Sequence, residues 1–228
     1  MLDKTGQVTE RASTVARRQA ILDSALRLFA TRGLQATSVE DICVASGASN
    51  GSLYHHFGSK EGIAATLYAG AIADYQQGAL ATFKEASSAE AGFRGCVKHY
   101  LMWVRDHQEL AILMLAVEHS DLRELASDEL AALNDTFRIQ ISEWMGSRAA
   151  AGDLPDIPRD LVVPAMLGPP RRFAELWLQG KTDTSIDDAA RVLADVVWRG
   201  LNARTPQATK KDGHARRPTL QERARRTR

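Results

Sequence analysis

Strand signals are almost missing from this 228-residue chain. Alternating β-branched runs bounded by turn residues are scarce, which excludes sheet-based architectures and leaves an all-α reading. Long apolar runs are missing too. The longest, residues 110–117, is too short to cross a bilayer, and residues 1–10 are too polar for a secretory signal. A cytoplasmic protein without a membrane partner is therefore expected. Only two cysteines occur, Cys43 and Cys96, so neither a disulfide framework nor a cysteine-based zinc site is available. His99, His107 and His119 lack metal-ligand spacing with cysteine or clustered carboxylates, and no metal or cofactor is expected. With 7 prolines, 16 glycines and 6% aromatics, collagen-like and low-complexity classes are excluded as well.

What is there is a charge pattern hidden under a net +1. Residues 1–60 hold seven Lys/Arg against five Asp/Glu, residues 61–203 hold 13 against 21, and residues 204–228 hold nine against two. An acidic body between two basic ends points to a polyanionic partner touched by the ends only. A solvated acidic surface carrying a basic tail fits the same counts.

Helical periodicity runs through nearly the whole chain. In residues 17–32, Ile21, Ala25 and Phe29 recur every four positions beside Leu22 and Leu26, and Gly33 follows as a left-handed cap. Thr37…Glu40 and Ser38…Asp41 both have the hydroxyl-to-acid spacing of a helix start. Gly47 ends that second short helix. A third is expected over about 49–56, and Ser59 caps a fourth through 83. Longer amphipathic helices are expected over 89–105, 107–119, 121–149, 159–179 and 184–204, with a kink or break near Gly168-Pro169-Pro170. This divides the chain into a flexible basic arm (1–16), a small helical domain (17–63), a larger helical domain (64–204) and a disordered basic tail (205–228).

Residues 39–57 carry the chemistry. Ile42 and Leu53, eleven positions apart, face one small core from two helices; Cys43 is small where they cross, and Gly47 permits the turn. The second of these helices presents short polar residues, which suits entry into a DNA major groove. Ala36-Thr37-Ser38-Val39-Glu40-Asp41-Ile42, Ser46-Gly47-Ala48-Ser49-Asn50-Gly51-Ser52-Leu53-Tyr54-His55-His56-Phe57 and Ser59-Lys60-Glu61 together resemble the TetR family of transcriptional regulators. Residues 20–33 look like that family's first helix, so the resemblance covers about 17–63. Cys43 departs from it, standing where the family usually has alanine.

The resemblance implies roles position by position. Thr37 or Ser38 would bind a phosphate at the start of the second helix. Ser49, Asn50, Ser52 and His55 would face bases, Gly51 would allow close approach, and Tyr54 and Lys60 would contact phosphates. Arg11, Arg17 and Arg18 suit an arm on the backbone or minor groove. Two rival readings start from the same residues. Gly47-Ala48-Ser49-Asn50-Gly51 fits the G-x-S-x-G pattern of a hydrolase using Ser49, but that chemistry needs a strand before the serine. A helical adaptor without DNA affinity would use the basic tail alone.

In the larger domain, the resemblance implies a ligand pocket and a dimer interface on the last two helices. Phe173, Leu176, Trp177, Ile186, Val192, Leu193, Val196, Val197 and Trp198 supply more apolar surface there than one bundle face needs. Tyr100, Trp103, His107, Met114, Phe137, Trp144, Met166 and Trp177, with Met102, His119 and Met145 nearby, make an interior able to enclose an apolar or aromatic ligand. The resulting expectation is a non-enzymatic homodimeric repressor. It binds an inverted-repeat operator in double-stranded DNA and is released by a small-molecule effector.

Overall fold

The computed structural model describes residues 4–118, 127–155 and 157–203. Among the described residues there are nine helices and no strand: α1 (Lys4–Arg32), α2 (Val39–Ser46), α3 (Asn50–Phe57), α4 (Lys60–Glu85), α5 (Ala89–Asp106), α6 (Gln108–Glu118), α7 (Ser127–Ala151), α8 (Arg159–Leu178) and α9 (Ile186–Asn202). His119 and the tail 205–228 lie outside the described residues, as does the first part of the helix expected from 121.

The short N-terminal helices are set by their ends. Ser38 caps α2 by accepting from the Asp41 amide at 3.0 Å, while the Asp41 carboxylate accepts from the Ser38 amide at 2.9 Å, a closed capping box. Ser49 and Ser59 cap α3 and α4 in the same way, accepting from Ser52 and Gly62 amides. Between α2 and α3, Gly47 adopts φ 68°, a left-handed conformation that any side chain would strain.

These helices close around Ile21, Ala25, Phe29, Ile42, Leu53 and Ile63, all 3% exposed or less. Each fully buried Ile or Leu there contributes roughly 1.5–3 kcal/mol. The same cluster takes in Tyr68 of α4, Leu113 and Val117 of α6 and Leu130 of α7. The small domain thus shares its core with the larger one, and α4, expected through 83, spans the boundary at 63. The first helix does not begin at 17, because α1 is helical from Lys4 and residues 4–16, expected as a flexible arm, continue it.

Two further clusters build the larger body. In one, Phe83, Phe93, Cys96, Val97, Met145, Met166 and Val197 pack together; in the other, Leu101, Trp103, Val104, Ala174 and Ile186. Helix α5 serves both and packs against α4, α8 and α9. Helix α8 decides one half of another expectation: there is no break near 168, the helix running from 159 to 178 with Pro164, Pro169 and Pro170 inside it. Each internal proline removes a helix hydrogen bond, at a cost of about 3 kcal/mol. Val162, Met166, Pro170 and Ala174 form one buried stripe, and packing of that stripe holds the helix through the prolines.

Candidate nucleic-acid interface

Helix α3 fully buries Leu53, packs Phe57 against the same core and turns its first turns outward. Ser49, Asn50, Gly51, Tyr54 and His55 are exposed and Ser52 is half-buried. A side chain at Gly51 would meet nothing within 4 Å, so glycine there answers no packing need. It keeps the outer surface of the helix low. Behind this face, the Arg18 guanidinium of α1 lies 5.1 Å over the Phe57 ring. Side chains of α1 before Ser13, including Arg11, lie outside the described residues, whereas Arg17 and Arg18 are exposed on a regular helix.

The residues around the start of α2 are placed differently from expectation. Thr37 is 1% exposed, and its hydroxyl donates to the Gly33 carbonyl at 2.8 Å. The Ser38 hydroxyl donates to the Asp41 carboxylate at 2.6 Å. Both hydroxyls thus donate within the protein. The Ser38 hydroxyl and amide, helped by Arg32 at 3.4 Å, hold the Asp41 carboxyl below the usual carboxylate range. A charged carboxylate therefore lies beside the start of α2, where the resemblance implies a phosphate contact. The Lys60 ammonium is also engaged, donating to the carbonyls of Leu34 and Thr37 at 2.8 Å each. No local pattern announces this bond, because its partners are backbone atoms more than twenty residues away. Missed too was the Cys43 thiol, which lies 3.2 Å from the Asn50 side-chain oxygen.

Behind the interface, the larger domain holds a cavity of about 320 Å³. Its walls come from α4, α5, α6 and α8, mainly Tyr68, Ile72, Tyr75, Tyr100, Trp103, Val104, Met114, Leu115, Leu167, Arg171 and Leu178. Of the eight candidate pocket residues, Tyr100, Trp103 and Met114 line it. Trp144 instead packs 4.7 Å from Phe83 and 5.7 Å from Phe93, with Met166 in the same cluster. Trp177 packs in the neighbouring cluster, and Phe137 lies along an open groove between α4 and α7. His107 stacks on the Trp103 ring at 4.9 Å and is not among the lining residues. Periodicity marks a residue as inward-facing but does not separate core from cavity wall. Burial keeps the phenol of Tyr75 and the thiol of Cys96 neutral, the latter pushed up to about 12.

A capped short helix, a left-handed glycine turn and a second short helix with a polar outer face define a helix-turn-helix DNA-binding protein. Ser49 is the N-cap of α3 and follows a helix and a glycine turn, not a strand, so the hydrolase geometry is lacking. The family model of bacterial regulatory proteins of the tetR family matches residues 21–67. Over 192 residues, 81% of this chain and 91% of the other protein, the chain is 28% identical to the HTH-type transcriptional repressor KstR2 of Rhodococcus jostii RHA1. Over 46 residues, 20% of this chain and 23% of that protein, it is 54% identical to KstR2 of Mycobacterium tuberculosis H37Rv. The crystal structure of a TetR family transcription regulator from Marinobacter aquaeolei VT8 shares the fold, with a TM-score of 0.68 at 22% identity. That match spans 82% of this chain and 96% of the other. The match at residues 21–67 and the likeness to a repressor over most of the length identify a DNA-binding transcriptional regulator similar to the TetR family. Among the described residues no helix is long and apolar enough to cross a membrane.

Proposed function

We propose that this regulator is a homodimeric repressor that binds an inverted-repeat operator and leaves it when an apolar small molecule enters the 320 Å³ cavity. The observation that carries the reading is the double duty of α6. Ala111, Met114 and Leu115 form cavity wall, while Leu113 and Val117, on the same two turns, belong to the core under the helix-turn-helix. A ligand that pushes α6 moves the platform on which α3 stands. It shifts the equilibrium only as far as it binds the displaced arrangement more tightly. Helix α4 adds a second link, running from Lys60 beside the recognition unit to Ile72 and Tyr75 in the wall. The 28% identity to a protein named as a repressor supports repression over activation.

Dimerisation is supported by the outer surface of α8 and α9. Leu161, Val192 and Val196 are each more than half exposed, with the two valines one helical turn apart. A second copy would cover them, and two-fold symmetry would present two α3 helices to two half-sites. Ile186 and Val197 are buried within the chain, and the half-buried Trp198 stacks 6.2 Å from Phe93. On α3, the reading assigns Ser49, Asn50, Ser52 and His55 to bases and Tyr54 to a phosphate, with Gly51 allowing close approach. The test is selection from random duplex DNA alongside sedimentation. A dimer selecting a palindrome is expected; a monomer at micromolar concentration, or no selected palindrome, overturns the reading.

A further inference from the structure

We propose that Cys43 is a specificity-determining positioning residue: its thiol holds the carbonyl oxygen of the Asn50 side chain, so that Asn50 presents its N–H edge to DNA and prefers guanine over adenine. The proposal rests on the reading of α3 as the base-reading helix.

The two residues sit on different helices, seven positions apart across the glycine turn. Cys43 is on the second turn of α2 and Asn50 is the first residue of α3. Their Sγ and Oδ1 atoms are 3.2 Å apart, within reach of an S–H···O bond. Cys43 is half-buried and Asn50 exposed, so the bond runs from the seam between the helices out to the surface. Chemistry decides which end of the carboxamide faces the sulfur. A thiol has a proton to give and is a poor acceptor, so the oxygen belongs on it. Burial raises the Cys43 pKa, which keeps that proton in place at neutral pH.

The consequence follows from the edges that bases offer in the major groove. An asparagine free to rotate reads adenine with oxygen and nitrogen together, accepting from N6 and donating to N7. When the oxygen is turned back to the thiol, only the two N–H donors face outward. Guanine offers two acceptors there, O6 and N7, whereas adenine offers one acceptor beside a donor. Asn50 thereby becomes a donor-only reader, and it loses little rotamer freedom on binding because the thiol has already ordered it.

The experiment is selection from an operator library randomised in each half-site, using the full-length wild type, Cys43→Ala, Cys43→Ser, Asn50→Ala and the Cys43→Ala/Asn50→Ala double variant. The wild type should favour guanine over adenine about tenfold at one base pair per half-site, the scale of one good base contact. Cys43→Ala should bring that ratio to within about twofold, leaving other positions and the thermal midpoint unchanged. Cys43→Ser restores an O–H donor and should keep the preference. In the Asn50→Ala background, Cys43→Ala should change nothing further. A Cys43→Ala profile superimposable on the wild type, a loss spread over every position, or a serine variant that behaves as alanine overturns the proposal alone. Absence of any sequence selection by the wild type overturns the reading of α3 as well.

Discussion

The Lys60 ammonium on α4 and the Thr37 carbonyl at the entrance of α2 are joined by a 2.8 Å hydrogen bond, and Leu34 accepts from the same ammonium at the same distance. Two of the three ammonium donors thus hold the α1–α2 turn against the helix that leads to the cavity. Hydrogen bonds to charged groups contribute about 1.5–3 kcal/mol each, less where water competes, and Lys60 is half-buried. Lys60→Met should destabilise the protein by about 1.5–3 kcal/mol in urea unfolding and weaken binding to all DNA sequences alike. Lost affinity at unchanged stability would mean that the ammonium acts on DNA as a bare charge.

Leu53 anchors the recognition helix with no exposed surface, whereas Val44, nearby on α2, is 80% exposed. Leu53→Ala should cost about 2–5 kcal/mol through the cavity it leaves. Val44→Ala should stay within about 0.5 kcal/mol. Comparable unfolding midpoints for the two variants would contradict the packing described.

The placement of Met114 in the cavity wall and Met166 in the core gives a paired test. Met114→Trp should occupy cavity space and block effector response while operator binding survives. Met166→Trp should instead destabilise by about 1–3 kcal/mol through overpacking. Trp103 should be the fluorescence reporter, so that Trp103→Phe abolishes a ligand-dependent signal that Trp144→Phe leaves in place. Loss of the signal on changing Trp144 instead would contradict the cavity assignment.

Asp41 ties stability to pH. Its folded pKa lies below the ordinary value, chiefly because the Ser38 hydroxyl donates to its charged form. Its contribution is therefore fully present above the unfolded pKa of about 3.9 and is lost as pH falls through the depressed folded value. Asp106, Asp188 and Asp195 are shifted the same way by hydroxyl or arginine partners, so Asp41 accounts for one part of the acid limb. Asp41→Asn should flatten the fall in urea midpoint below about pH 4 relative to the wild type. Parallel curves would show that the capping carboxylate adds no such linkage.

The sequence by itself determined the helices and the recognition unit. Ser38…Asp41, Gly47, Ser49 and Ser59 are local signals acting over three or four residues, and the Ile21–Ala25–Phe29 spacing writes a buried stripe directly into the chain. The outward polar face of α3 followed from the same periodicity. Tertiary structure alone decided everything that depends on partners distant in sequence. It chose Ser38 over Thr37 as the cap by burying the Thr37 hydroxyl on Gly33, and it assigned Lys60 to two carbonyls. It also kept α8 helical through three prolines and separated Met114 in the cavity from Trp144 in the core. The physical reason is common to all of these. Helix periodicity specifies which way a side chain faces, but whether it meets a carbonyl, a ring or an empty volume depends on another helix, whose position no local pattern encodes.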